Sequence, residues 1–332
     1  MIPAILSSRM TTANITKAAA ILDQGGLVAF PTETVYGLGA DARNEAAIRK
    51  IFAAKERPYD HPLIVHLADM TQLSDWARDI SERALLLANT FWPGPLTLIL
   101  KKQPSVLDIV TGNQDSIGLR IPNHPIAQAL LREFGSGIAA PSANKFTHIS
   151  PTTADAVREE LGDKVDLILD GGNCMVGLES TILDLSGKSP VILRPGMITA
   201  NRLEKVIGMP VLSSEHNTLA IRTPGSHHLH YAPTTATVVL ERKNIPDFLL
   251  SLRADDLPAA LITHNQMELP ALKKIQHVQL QHDASSYAHD IYHTLRTLDN
   301  QHLQCIIIEA VPAKPEWDAI RDRLNKASGR RV

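Results

Sequence analysis

Apolar residues recur along this chain in two alternating periods. Thr16 to Asp23 carries them at helical spacing and stops at Gly25-Gly26, after which Leu27 to Phe30 is a continuous apolar run with the length of a strand. That run breaks at Pro31 into a hydroxyl-rich turn. Asn44 is placed to cap a helix reaching about Ala54, with Ile48, Ile51 and Phe52 as its apolar stripe. Strands are expected at Pro62 to Leu67, Leu96 to Lys101, Ile117 to Ile121, Ile138 to Ala140, Val165 to Asp170, Thr181 to Leu185 and Val191 to Leu193. Helices are expected between them at Ser81 to Phe91, His124 to Phe134 and Thr152 to Leu161, the last with Ser150 and Thr152 as capping hydroxyls. This mixture predicts an α/β domain with a twisted sheet whose loops carry the conspicuous polar residues.

The periodicity fades from about Met209 to Thr235. That stretch is rich in Pro, Ser, Thr and His, and is too long for an ordinary connection inside a compact domain. Alternation then resumes: strand Ala236 to Leu240, a helix, strands Ala259 to Thr263 and Val278 to Leu280, helix Tyr287 to Leu298, strand Cys305 to Glu309 and helix Trp317 to Lys326. The expected organisation is a domain over 1–208, a linker over 209–235, and a smaller, doubly wound α/β domain over 236–332.

Composition narrows the class. A chain of 332 residues with 44% hydrophobic residues can bury two cores, and its formal net charge of −2 excludes a strongly basic coat for nucleic acid. Cys174 and Cys305 are the only cysteines and form no CxxC, so neither a disulfide framework nor a zinc site is indicated, in keeping with a reducing cytoplasm. No run approaches the roughly 18 apolar residues of a membrane span, and the N-terminal residues lack the pattern of a secretory leader, so a soluble, unprocessed protein is expected.

Two nucleotide-binding patterns fail on context. Gly37, Gly39 and Ala42 fit G-x-G-x-x-A, but six residues separate the strand from the first glycine, and the helix cap follows the motif. The spacing of a phosphate loop at Gly172 to Gly177 has Leu178 in place of its lysine. His227, His228 and His230 resemble a metal cluster but have no acidic or cysteine partners nearby.

The cations say more. Lys55, Arg57, Arg120 and Arg194 all fall in short loops or at strand ends, three of them beside prolines (Pro58, Pro122 and Pro195). Such placement suits either an anion site or structural ion pairs. Thr32, Thr34, Ser142, Asn144, Ser150, Ser180 and Thr181 occupy similar positions and are expected to bind rather than attack, because no nucleophile elbow is present. His66 lies within the apolar run PLIVHL and by spacing alone belongs to the core.

Seven segments, PTETVYGL, KERPYDHPLIVH, WPGPLTLIL, SIGLRIPNHP, APSANKFTHISPT, GLESTILDL and ILRPG, in this order over residues 10 to 208, closely resemble the YrdC-type threonylcarbamoyl-AMP synthase family. HYAP in the linker and the α/β tail resemble its long form. The resemblance implies a YrdC-like mixed-sheet catalytic domain and a Rossmann-like C-terminal domain. It implies conversion of ATP, L-threonine and bicarbonate or CO2 to threonylcarbamoyl-AMP and pyrophosphate, with Mg²⁺ assisting. The product then passes to a separate transferase complex that modifies tRNA to threonylcarbamoyladenosine; direct tRNA binding is left open. Carried over by position, Thr34, His66, Arg120, Ser180 and the backbone at Ala140 would contact threonine. Lys55, Arg57, His61, Ser116, Ser142, Asn144, Ser150 and Arg194 would contact ATP, with Lys55 and Arg57 acting in catalysis and Tyr231 reaching the nucleotide from a linker that closes over the site. His61 stands where many members have Asn, and KFTHISPT departs from the commoner glycine-containing form. A carbamoyl-transfer domain, known from hydrogenase-maturation proteins, and an RNA-binding module share this core and are the alternatives.

Overall fold

The computed structural model describes residues 12–213, 221–225, 230–268 and 274–329. Two compact units divide the chain. The first gathers the described residues of Met1–Phe146, Pro151–Met175 and Glu179–Ser226, the second those of Thr147–Ser150, Val176–Leu178 and His227–Val332.

The first unit is built on a mixed sheet of β1 (Val28–Pro31), β2 (Tyr36–Asp41), β3 (Ile64–His66), β4 (Ala77–Arg78), β5 (Leu96–Lys102), β6 (Ser116–Arg120), β7 (Ile138–Ala139), β8 (Leu167–Ile168), β9 (Thr181–Asp184), β10 (Val191–Arg194) and β11 (Leu212–Ser213). They lie in the order β11-β10-β9-β5-β6-β3-β7-β2-β1-β8, with β4 pairing the edge of β5. Its helices are α1 (Thr12–Asp23), α2 (Glu45–Lys55), α3 (Leu73–Trp76), α4 (Glu82–Phe91), α5 (Asp108–Thr111), α6 (Pro125–Phe134), α7 (Ala154–Leu161) and α8 (Ala200–Ile207). Because strand side chains alternate, the sheet has two different faces. One buries Val65, Leu98, Leu100, Leu119 and Leu183 in the main core with Ile48, Ile51 and Phe52 of α2, Leu87 of α4 and Leu203 of α8. On the other, Val28, Phe30 and Ile138 are covered by α1 and α6. Further along that second face, Ile64, Ile99 and Ile182 form a separate small apolar cluster with Leu193 and Ile221, the floor of the region described below.

Local chemistry explains most element ends. Asn44 accepts from the Ala47 N–H at 3.2 Å and starts α2, and Ser81 accepts from the Ala84 N–H at 3.3 Å and starts α4. For α7 the capping residue is Thr153, which accepts from the Ala156 N–H at 3.1 Å, and not Ser150 or Thr152. β2 was not expected from the sequence. Its glycines weaken the strand signal, but a Cβ at Gly39 would stand 2.7 Å from Phe30 and 2.9 Å from Ile138, so packing against the two neighbouring strands requires glycine there. α8 also carries no clear sequence signal, since Leu203 is its only buried residue.

The second unit has a wholly parallel sheet of β12 (Ala236–Leu240), β13 (Ala259–Thr263), β14 (Ile275–Gln279) and β15 (Cys305–Glu309) in the order β12-β15-β13-β14. Three further helices, α9 (Ile245–Ser251), α10 (Ala284–Asp299) and α11 (Asp318–Ala327), complete it. Leu249 of α9 packs on Leu261 and Ile307, as a crossover helix does in a Rossmann-like arrangement.

Candidate active site

Several residues the sequence singled out stand on the strands that carry this floor. β3 and β6 are parallel, and their register pairs His66 with Arg120 at the strand ends, on the same face. Both are buried. Arg120 donates from Nε to the Gly94 carbonyl at 3.1 Å and from Nη1 to the Thr34 hydroxyl at 3.0 Å. Thr32 gives its own hydrogen to the Val35 carbonyl at 2.6 Å, so across the 2.8 Å Thr32–Thr34 contact Thr34 is the donor and is oriented to accept from Arg120.

Glu33, which sequence reasoning missed, lies against the same guanidinium. Its Oε1 is 2.7 Å from Arg120 Nη2, and its Oε2 accepts from the Asn123 N–H at 3.0 Å. The short contact is an ion pair without hydrogen-bond alignment, for Arg120 Nη2 and Glu33 Oε1 both lack a hydrogen-bond partner. His66 Nδ1 is in the same condition. Burial, reinforced by the Arg120 charge, pushes the His66 imidazole down to about 3, so it is neutral at physiological pH. Unmade hydrogen bonds at buried groups cost about 1–3 kcal/mol each, and a cluster of them on one face marks a place prepared for a ligand.

A second group forms around the end of α2. Lys55 is only 2% exposed. Its ammonium donates to the Ser142 carbonyl at 2.5 Å and, by a still shorter bond, to the Asn144 carbonyl. Two of its three hydrogens are thereby committed, leaving one for an outside acceptor. Burial, followed by the Arg57 charge, holds the Lys55 amine well below its usual value, while Glu160 acts in the opposite sense. Glu56 ends the helix in the left-handed region at φ 55°, turning the chain so that Arg57 follows at once and donates to the Pro62 carbonyl at 3.0 Å. His61 packs edge-on against Phe146 at 5.2 Å.

The third group depends on a strand irregularity. Between Ile192 and Arg194 the β9–β10 register slips, so that Arg194 rather than Leu193 pairs with Ile182. The bulge turns Arg194 onto the floor's face. Its guanidinium donates from Nε and Nη2 to the Ser180 carbonyl at 3.1 and 3.0 Å, and from Nη2 to the Ser180 hydroxyl at 3.1 Å; that hydroxyl also contacts Thr97 Oγ1 at 2.7 Å. Gly196 approaches so closely that a Cβ there would lie 2.3 Å from the Thr181 nitrogen.

Not every expected residue joins these groups. Ser116 opens β6 and Arg120 closes it, which separates the two by roughly 13 Å along the strand. The Ala140 N–H is committed to the Ile64 carbonyl at 2.9 Å, so a backbone contact at this position would use the Ala140 carbonyl. Ser150 and Tyr231 belong to the second unit, where the Tyr231 ring lies under Arg323 at 5.0 Å and stacks on Tyr292 at 5.9 Å. His227 and His228 lie outside the described residues.

Part of the linker lies on the first unit. Ile221 packs on the floor, Arg194 Nη1 donates to the Pro224 carbonyl at 3.3 Å, and Arg222 and Gln114 exchange backbone-to-side-chain bonds of 2.8 and 3.0 Å. Arg222 Nη2 also donates to the Gly112 carbonyl at 2.6 Å, and Nη1 approaches Asp60 at 3.3 Å.

The mixed sheet, with buried cations at the ends of its strands and of α2, defines a YrdC-type α/β protein with a second, Rossmann-like unit. A family profile described as Telomere recombination, covering the Sua5, YciO and YrdC proteins, matches residues 20–196, and one described as Threonylcarbamoyl-AMP synthase, C-terminal domain, matches 198–329. The threonylcarbamoyl-AMP synthase of Pyrococcus abyssi is 38% identical over 95% of this chain and 94% of its own, and that of Bacillus subtilis is 40% identical over 96% and 94%. The crystal structure of P. abyssi Sua5 complexed with L-threonine is similar with a TM-score of 0.90 at 37% identity, covering 97% of this chain and 96% of that one. The chain belongs to the threonylcarbamoyl-AMP synthase family.

Proposed function

We propose that the first unit joins L-threonine, bicarbonate or CO2 and ATP into threonylcarbamoyl-AMP and pyrophosphate, the activated carbamoyl donor for threonylcarbamoyladenosine in tRNA. The observation that carries the assignment of substrates to residues is the register pair His66–Arg120, with partnerless atoms on both side chains. Arg120 holds the threonine carboxylate, aided by Thr34, the Ser180 hydroxyl and the Ala140 carbonyl, while neutral His66 offers a hydrogen bond without charge. Lys55, Arg57 and Arg194 bind phosphate oxygens, with Ser142, Asn144, His61 and Ser116 as the further nucleotide contacts of the first unit.

Once its ammonium has lost a proton to water, threonine's amine adds to the carbon of CO2 with loss of a second proton, or to that of bicarbonate with loss of water, and an oxygen of the resulting carbamate attacks the α-phosphorus as pyrophosphate leaves. Both partners are anionic, so fixed cations and exact placement supply the acceleration, without a protein nucleophile. Mg²⁺ would accompany the triphosphate as part of the nucleotide substrate.

Residues 1–208 form the catalytic domain and 209–235 the linker, whose residues 221–225 serve as a strap over it. The contacts of Ile221, Arg222 and Pro224 support the strap's role in shielding the water-labile carbamate. Residues 236–332 form the C-terminal domain. No described helix is long and apolar enough to cross a membrane, and cytoplasmic action on behalf of a separate tRNA-modifying transferase complex completes the proposal.

Turnover of ATP, L-threonine and bicarbonate, with mass detection of the adenylate, tests this function. Lys55→Ala is expected to abolish pyrophosphate release; full release that still depends on threonine would overturn the phosphate role of Lys55.

A further inference from the structure

Arg120 is surrounded mainly by uncharged groups. Gly94 and Thr34 take two of its donors, and its register partner His66 is neutral. Among the described residues, the carboxylate in contact with its guanidinium is that of Glu33, at 2.7 Å, with both side chains 5% exposed. Glu33 is itself pinned by the Asn123 N–H at 3.0 Å. Of the titratable neighbours that Glu33 influences, His124 is held below its ordinary value by burial, against the pull of Glu33, and the Cys174 thiol is pushed up by burial and then by Glu33, so neither carries a compensating charge at neutral pH. The buried pair Glu33–Arg120 therefore sums to zero before any ligand arrives.

A bare carboxylate entering against Arg120 would leave one uncompensated negative charge in a low-dielectric site, which is heavily penalised. A ligand that brings its own cation next to its carboxylate leaves none. We infer that Glu33 is a specificity-determining residue that makes the Arg120 site select an α-amino acid zwitterion over the corresponding hydroxy acid. This rests on the reading of Arg120 as the carboxylate anchor and adds what that reading lacks: an arginine alone accepts any carboxylate. The other cations do not supply the same discrimination, because Lys55, Arg57 and Arg194 face the phosphates in the proposed reaction. Glu33 acts through the charge of the site and through the orientation of Arg120, and no proton transfer is assigned to it.

The test is calorimetric binding to the full chain of L-threonine and of 2,3-dihydroxybutanoate, which differs by a hydroxyl in place of the amine. The wild type is expected to favour threonine by about 100-fold or more, because a mismatched buried charge is discriminated more strongly than a missing methylene. Glu33→Gln preserves shape and removes the charge; it should bring the ratio to within about tenfold, with the hydroxy acid binding more tightly than it does to wild type. Glu33→Asp keeps the charge and should keep the ratio even where both affinities fall, a separation that a purely structural role of Glu33 would not produce. An unchanged ratio in Glu33→Gln overturns the inference. If that variant does not fold, a wild-type ratio near one, or a collapsed ratio in Glu33→Asp, overturns it equally. Absence of any threonine binding to folded wild type would instead remove the underlying reading of Arg120, so the two failures are distinguishable.

Discussion

His66 should make the first unit sensitive to acid by an amount that follows from its surroundings. Burial and the Arg120 charge hold the folded imidazole at about 3, against an ordinary value of 6.5. The unfolded chain therefore binds a proton below 6.5 that the folded chain refuses. Stability is complete above that value, falls as the pH drops, and levels only near the folded value. At pH 4.5 the unfolded state lies two pH units into its titration while the folded imidazole is still neutral, which corresponds to roughly 2–3 kcal/mol. Replacing His66 with Asn, which does not titrate, should remove that share of the acid loss. Urea unfolding at pH 7.5 and 4.5, in a Trp317→Phe background where Trp76 and Trp92 of the first unit carry the fluorescence, measures it. Subtracting the pH-induced loss of His66→Asn from that of the parent cancels the other titrating groups, His124 included. A difference near 2–3 kcal/mol is expected; one below about 0.5 kcal/mol would refute the reasoning and mean that the histidine is protonated in the fold.

Gly196→Ala places a methyl group 2.3 Å from the Thr181 nitrogen and should destabilise the first unit by about 1–3 kcal/mol while displacing Ser180, seen as a lowered urea midpoint together with a fall in kcat/KM. Arg222→Ala removes the strap's bond to Gly112 and its approach to Asp60 and should lower turnover several-fold at an unchanged urea midpoint, with Gln114→Ala reproducing the effect; steady-state kinetics showing full activity in both variants would rule out a catalytic role for those contacts.

The legibility of the chain varied with the kind of interaction responsible. Strands set by continuous apolar runs, such as Ala259–Thr263 and Cys305–Glu309, could be read to the residue, since burial on both faces writes itself into composition. β2 could not, because its two glycines answer to Phe30, Ile138 and Ala140, residues brought beside them only by the sheet. The site shows the same division. Lys55, Arg57, Arg120 and Arg194 drew attention as cations in awkward places, and motif order gave them an expected purpose. Glu33 carries no such signal in PTETVYGL, for an acid in a turn is ordinarily solvated, and only the folded chain brings Arg120 against it. His66 was ambiguous for a related reason: a histidine in a buried strand looks the same whether its ring nitrogens are satisfied by protein or kept for a ligand.

The slipped register of β10 makes chain length itself a functional quantity. Arg194 faces the floor because Leu193 is a supernumerary residue in the ladder against β9. Insertion of one residue after Leu193 would conserve every charged side chain of the site and still lose the Arg194–Ser180 contact, by moving Arg194 on from Ile182 to Thr181 in the ladder and turning it to the opposite side. The turn over 185–190, outside the ladder, could lengthen without that consequence. In this strand, residue count constrains the chemistry as firmly as residue identity does.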